Sequence, residues 1–396
     1  AGFCRRRLDE RSRSRLAGCV RRVHDIYLIP GFFGFANLGK LTYFGHVRPY
    51  LLQAAAARGI EARVHVVKTH PTASLAERAA RVVRKVSVTA SRGAGPIHLI
   101  GHSSGGMDAR LFATPGVALP TDVDTERFAA RLATVVSVST PHYGTPLASF
   151  FASRLGQQTL QGLSLSTIYM LRYGQLPLRG LLQLGAMFAR WDSGALNSAL
   201  LDHVFDVVLG NFSVGRRQAV QKLFSEVAKD QALLTQLTPE AVEVFNAAVR
   251  DRPGVRYGSV VTRSVKPGVR SVRETGLDPA GQALHTVYAT LHRIASQTPS
   301  RAAPRLTAKQ ERALKRAYRR LPSVADNDGI VPTRAQVWGE VVAAVHADHL
   351  DVIGHFGDSS TRPPHVDWLA TGTGCSLERY EKVWSAIVDF LFGREG

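Results

Sequence analysis

The stretch of this chain best suited to chemistry is Gly101-His102-Ser103-Ser104-Gly105, followed by Gly106. A serine hydroxyl can attack an acyl carbon when it projects from a sharp strand-to-helix turn. Glycines are needed on either side because side chains there would meet neighbouring backbone. The apolar run Ile97 to Ile100 precedes the motif, and a helical pattern follows from Met107. A serine so placed also sits at a helix N-terminus, where free N–H groups and the helix dipole favour developing negative charge. The alternative, a plain glycine turn with an exposed serine, fits this context less well.

Serine is a weak nucleophile until an imidazole takes its proton, and the imidazole needs a carboxylate to fix its tautomer. When the serine lies on such an elbow, the acid and then the histidine follow it along the chain. Asp328, in Asn327-Asp328-Gly329-Ile330-Val331-Pro332, and His349, in Ala347-Asp348-His349-Leu350-Asp351, have this order, with the strand-like run Val341 to Val345 between them. Asp326 competes as the acid but would point elsewhere in an extended segment. His346 and His355 compete as the base and read as surface residues, while His102 and His142 read as structural. An oxyanion needs two backbone donors. Ser104 N–H, next to the nucleophile, supplies one, and Phe32 N–H in Pro30-Gly31-Phe32-Phe33-Gly34-Phe35 supplies the other.

Short apolar runs alternating with amphipathic stretches must hold these residues in place. Ile26 to Ile29, Val64 to Val67, Ile97 to Ile100, Thr134 to Val138, Val255 to Val261 and Val341 to Val345 read as strands. Ser74 and Glu77 form a capping box opening a helix whose apolar face is Leu75, Ala79, Val82, Val83 and Val86. The alternation predicts an α/β fold with a mostly parallel central sheet flanked by helices. Between about 151 and 250 the pattern turns leucine-rich and helical, with a helix around Ala219 to Val227 and an N-cap at Thr238-Pro239. This predicts a helical cap or lid inserted between two sheet strands; most of its apolar residues are core, and some could line an acyl-binding cleft. The predicted division is a basic, disordered arm over 1–22, core over 23–150, cap over 151–250 and core again over 251–396. A basic helix over Leu306 to Arg320 and a closing amphipathic helix over Ser376 to Phe392 belong to the last part.

Of the 396 residues, 45% are hydrophobic and 20% charged, which suits a globular chain, and no apolar run is long enough to span a bilayer. The formal charge of +19 is concentrated early, in Arg5, Arg6, Arg7, Arg11, Arg13, Arg15, Arg21 and Arg22. That arm reads as solvated, with electrostatic contact to anionic lipid or nucleic acid as its functional alternative. No recognition module or aromatic ladder accompanies it, so no specific nucleic acid is expected. Cys4, Cys19 and Cys375 make neither a disulfide framework nor a C-x-x-C pair. The first residues lack the apolar run of a signal peptide, which favours a cytoplasmic location.

Taken together, several segments resemble the bacterial triacylglycerol lipases of the α/β-hydrolase superfamily. They are Ile29 to Phe35, Tyr43-Phe44-Gly45, Leu99 to Gly106, Thr140-Pro141-His142-Tyr143-Gly144-Thr145, Asn327 to Val331 and His349-Leu350-Asp351. The resemblance implies an α/β-hydrolase fold, a triad of Ser103, Asp328 and His349, and an apolar ester or lipid substrate. It covers the core and little of the cap. Lipases of this group usually have histidine where Pro30 stands and glutamine where Ser104 stands, and neither change removes a backbone donor. Asp351 matches an aspartate that helps bind calcium in relatives. The partner aspartate some twenty residues before the acid has no counterpart, so no metal and no cofactor is expected. The same machinery also serves polyhydroxyalkanoate, thioester and acyl-transfer chemistry, and a non-catalytic basic protein on this scaffold is a further alternative.

Overall fold

The structure, a computed structural model, describes residues 22–32, 43–90, 95–153, 178–189, 218, 230–276, 278–300 and 303–393. The arm over 1–21, Phe33 to Phe35, the helix expected at Ala219 to Val227 and much of the leucine-rich stretch lie outside the described residues. The apolar runs form six strands: β1 (His24–Ile29), β2 (Ala62–Val66), β3 (Ile97–His102), β4 (Leu132–Val138), β5 (Arg256–Arg263) and β6 (Glu340–His346). They make one sheet in the order β2-β1-β3-β4-β5-β6, and every pairing is parallel. β3 is buried along its whole length, which explains why it reads as an unbroken apolar run rather than an alternating one.

Parallel neighbours require crossover connections, and helices provide them. In chain order these are α1 (Val47–Ala57), α2 (Leu75–Thr89), α3 (Ser104–Ala113), α4 (Thr125–Ala129), α5 (Pro146–Ala152), α6 (Leu178–Ala189), α7 (Ala232–Gln236), α8 (Pro239–Ala248), α9 (Val269–Glu274), α10 (Pro279–Ala295), α11 (Ala308–Tyr318) and α12 (Leu377–Phe392). The period of two along a strand sorts the core into two faces. Ile26, Leu28, Ile100 and Val136 pack with Val47 and Leu51 of α1 and with Trp384 and Ile387 of α12. Tyr27, Ile29, Leu99 and Val135 pack with Val82, Val83 and Val86 of α2 and with Ala109 and Phe112 of α3.

Local signals act where the sequence places them. The Ser74 hydroxyl accepts from Glu77 N–H at 3.3 Å, and the Thr238 hydroxyl accepts from Ala241 N–H at 3.3 Å with Pro239 opening the helix. In the basic helix α11, Leu314 and Tyr318 are buried, and the Tyr318 hydroxyl donates to Val261 O at 2.8 Å, fixing α11 to β5. α5 through α8 all lie between β4 and β5 in the chain. Among the described residues no helix is long and apolar enough to cross a membrane.

The strand order reverses between β1 and β3: from β1 the chain crosses to β2 on one side and then to β3 on the other. Such a reversal leaves a crevice at the carboxyl ends of the strands, where ligands bind in open α/β sheets. Ser103 immediately follows β3, and Gly31 and Phe32 follow β1.

Candidate active site

Ser103 has φ 54° and ψ −132°, a conformation that costs a non-glycine residue about 1–3 kcal/mol and persists only when its surroundings enforce it. They do so here. Ser103 N–H donates to Val138 O at 2.8 Å, and Gly106 N–H donates to Ser103 O at 3.1 Å. A Cβ on Gly105 would lie 2.2 Å from Ile29 O, so only glycine lets α3 start this close to β1. Ser103 therefore stands on a strained strand-to-helix elbow, at the N-terminus of α3.

The loop after β1 lies directly against this elbow: a Cβ on Gly31 would be 2.5 Å from Ser103 Cβ. Phe32 and Ser103 line one cavity, and Ser104 is the first residue of α3, where N–H groups have no partner within the helix. Phe32 and Ser104, the residues expected to supply oxyanion donors, thus flank Ser103. A residue that the sequence did not single out joins their segments. Arg78 of α2, fully buried, donates to Pro30 O at 2.8 Å, to Ser104 Oγ at 3.3 Å, to His70 O at 2.7 Å and to Asp108 of α3 at 2.7 Å. Burial pushes Asp108 up to about 6, against the opposing pull of Arg78.

Asp328 and His349 meet across the loops that flank β6. His349 Nδ1 lies 2.9 Å from Asp328 Oδ2, and His349 N–H donates to Asp328 O at 3.0 Å. The second carboxylate oxygen accepts from Ile330 N–H at 3.0 Å and Val331 N–H at 2.7 Å. Thr262 at the end of β5 and Gln336 also donate to Oδ2, at 2.8 and 3.1 Å. A carboxylate that receives this many hydrogen bonds has one orientation. It fixes the proton of His349 on Nδ1 and leaves Nε2 with its lone pair. That nitrogen is buried and makes no hydrogen bond to Ser103 or to any other described residue.

The serine and histidine segments are connected through His102. Its Nε2 lies 2.8 Å from His349 O, and its ring centroid is 4.7 Å from that of His349. A carbonyl only accepts, so the proton of His102 is on Nε2 and Nδ1 accepts from the Tyr43 hydroxyl at 2.5 Å. The Tyr43 oxygen in turn accepts from Gly31 N–H at 3.3 Å. Burial, and then the nearby His349 ring, hold His102 well below the usual histidine range, so it stays neutral.

The competing residues are engaged elsewhere. Asp326 pairs with Arg263 at 3.0 Å and Arg320 at 2.8 Å. His142 is buried between Ser137 Oγ at 2.8 Å and Arg110 at 3.2 Å. His346 packs edge-on against Tyr318. His355 departs from the expectation of a surface residue: it is buried and its Nε2 donates to Tyr43 O at 3.2 Å, because the loop after His349 folds back over Tyr43.

No family model matches the chain, and no curated protein matches it in sequence. Solved structures do match. EstA from Clostridium botulinum superposes with a TM-score of 0.54 at 16% identity, over 96% of this chain and 90% of that one. Lipase 1 from Pelosinus fermentans gives 0.51 at 15% identity, over 93% and 99%. A metagenomic carboxyl esterase gives 0.50 at 16%, over 94% and 76%. The chain has the α/β-hydrolase fold. Identities this low bear on the fold alone.

Two further features adjoin Ser103 and His349. Carboxylate oxygens of Asp348, Asp351 and Asp367 lie within 4.8 Å of one another. Burial pushes Asp348 up to about 7, and burial with the neighbouring Asp348 and Asp367 pushes Asp351 well above the carboxylate range. Three converging carboxylates suit a hard divalent cation such as Ca2+, which takes oxygen ligands and would offset their repulsion. The partners of Asp351 are therefore not the upstream aspartate that the sequence lacks; they stand beside His349 and further downstream. A cation held there would be structural, bracing the turn that carries His349. The second feature is an apolar cavity beside Ser103, lined by Phe32, Leu147, Phe151, Leu234, Leu237 and Val331 among others. Sequence reasoning did not identify its walls, because they come from separate helices and nothing local marks them.

Proposed function

We propose that this chain is a serine carboxylic-ester hydrolase of the lipase and esterase type, acting on apolar acyl esters through an acyl-enzyme. The observation that carries the reading is a strained, helix-capping Ser103 whose neighbour His102 is bonded to the backbone of a His349 that Asp328 orients. Ser103 Oγ attacks the ester carbonyl while His349 Nε2 takes its proton. The negative oxygen that forms is held by the N–H groups of Phe32 and Ser104. His349 then gives the proton to the departing alcohol and activates a water, which releases the acid. The histidine–serine hydrogen bond forms as substrate settles, as commonly happens when ligand-free hydrolases bind. Asp328 keeps its hydrogen bond to His349 Nδ1 and stabilises the imidazolium. The esterase and lipase named among the matching structures agree with this reading at the level of fold.

Ser103→Ala should lower turnover of a p-nitrophenyl ester by roughly a thousandfold or more while the protein remains folded. A fluorophosphonate should label the peptide that contains Ser103. Near-normal turnover in the variant, or labelling of another serine, would refute the assignment.

A further inference from the structure

The two edges of the sheet are defended unequally. β2 closes one side with polar residues at every second position: Arg63 pairs with Asp25 at 3.3 Å, and His65 lies 3.2 Å from the same carboxylate. β6 closes the other side with the unbroken apolar run Val341 to Val345, and each residue from Val341 to His346 is only half-buried. An apolar edge strand is normally shortened, charged or covered, because its free N–H and C=O groups invite another strand. A groove runs along this edge, with β6 as its floor, Ala317 of α11 on one wall and Ala386 of α12 on the other.

We propose that this groove binds an extended acidic peptide, which adds to β6 as a seventh strand. Ala347 N–H donates across to Arg263 O at 3.2 Å, so its side of the backbone faces β5. Successive residues of a parallel strand turn their N–H and C=O groups alternately to either side. The backbone groups of Ala344 and His346 therefore face away from β5 and offer a ladder to an incoming chain. Six residues of strand span about 20 Å, enough for a short peptide to pair along the whole groove.

Charge names the chemistry of the occupant. Arg316 of α11 and Arg379 and Lys382 of α12 line the groove and are exposed. The carboxylates beside the α11 wall are taken, Glu340 by Lys309 at 3.5 Å and Glu311 by Lys315 at 3.1 Å. Among the described residues no carboxylate pairs with Arg316, Arg379 or Lys382. A second copy would bring the same cations to the same edge, and the net charge of +19 opposes its approach. The cations that repel a copy attract an acidic strand, so one feature supplies both attraction and exclusion. The aliphatic floor suits the apolar side chains of a peptide, while backbone bonds to β6 would supply affinity.

The probe is a rhodamine-labelled octapeptide of alternating valine and glutamate, titrated with the full chain and followed by anisotropy. Saturable one-to-one binding is expected, weakening as salt is raised. The same peptide with lysine for glutamate should bind about tenfold more weakly or worse. So should the acidic peptide N-methylated at its four central residues, because the missing donors leave ladder bonds unmade. Ala344→Pro removes an outward N–H at a place where edge strands accept proline, and should weaken binding by about tenfold. Arg316→Glu combined with Lys382→Glu should do the same through charge alone, which keeps the test decisive if the proline variant does not fold. Absence of saturable binding, equal affinity for the N-methylated peptide, or unchanged affinity in the folded charge variant overturns the proposal. A wild-type dimer in sedimentation that Ala344→Pro separates also overturns it and gives the edge to a second copy. The proposal is independent of the chemistry at Ser103, and ester hydrolysis by the same preparations stands or falls separately.

Discussion

The imidazole of His102 donates from Nε2 to the carbonyl oxygen of His349 at 2.8 Å, so the residue before Ser103 holds the backbone of His349. The same ring accepts from Tyr43, whose oxygen receives Gly31 N–H, which makes the Ser103 segment, His349 and the loop after β1 parts of one directional chain. His102→Leu should therefore lower kcat by about ten- to a hundredfold with little change in KM, since misplacement of the base costs rate rather than substrate binding. His102→Gln, which keeps a donor near the Nε2 position, should recover part of the loss. Equal rates for the wild type and the leucine variant would show that the bond has no positioning role.

Arg78 and Asp108 are both fully buried. Arg78→Met leaves the carboxylate unpaired and should destabilise the fold by about 3–5 kcal/mol in urea titration. Arg78→Met combined with Asp108→Leu should restore most of that stability. It should not restore kcat, because Pro30 O and Ser104 Oγ still lose their common donor. A double variant with normal kcat would reduce Arg78 to a packing element.

Chelation should lower the melting temperature, and Ca2+ should restore it. At a hundredfold excess over Kd, a bound ion stabilises by about 2.7 kcal/mol. Asp367→Asn should blunt the response without touching the triad. Identical melting curves with EDTA and with millimolar Ca2+ would dismiss Asp348, Asp351 and Asp367 as a cation site.

Burial, with help from the nearby His24 and Arg256, pushes His98 down to about 3. The unfolded chain binds a proton there near pH 6.5 and the folded chain does not, so this residue contributes stability that is complete above pH 6.5. That stability is lost as pH falls from there toward 3. Between pH 6 and 4 the stability of His98→Gln should fall less steeply than that of the wild type, by about 1.4 kcal/mol per pH unit. Parallel slopes would mean that His98 is protonated in the folded state.

Much of the core was legible because its signals are local. β3, the elbow, and the Ser74 and Thr238 caps are each specified within a few consecutive residues. Asp328 and His349 were put forward from their order after the serine and strengthened by the resemblance, while spacing by itself left His346 and His355 open; the structure brings Asp328 and His349 within 2.9 Å. What escaped was built from residues far apart in the chain. Thr262, Gln336 and Asp328 form one cluster only after β5 and the loop before β6 pair. The aspartate triplet draws Asp367 from beyond Asp348 and Asp351, where no spacing rule looks. No element is read from the sequence over Pro279–Ala295, although its buried Ala283, Val287, Leu291 and Ile294 recur at helical spacing. Gly281 and the histidines among them interrupt an apolar pattern that is clear only from the packing.

α5 and α7, which carry Phe151 and Leu234, both fall between β4 and β5, whereas Ser103, Asp328 and His349 all lie outside that interval. Most of the described wall beside Ser103 and the three residues proposed to react are thus encoded in separate stretches of the chain. Replacement of the intervening stretch should therefore change the wall beside Ser103 and leave Ser103, Asp328 and His349 in place.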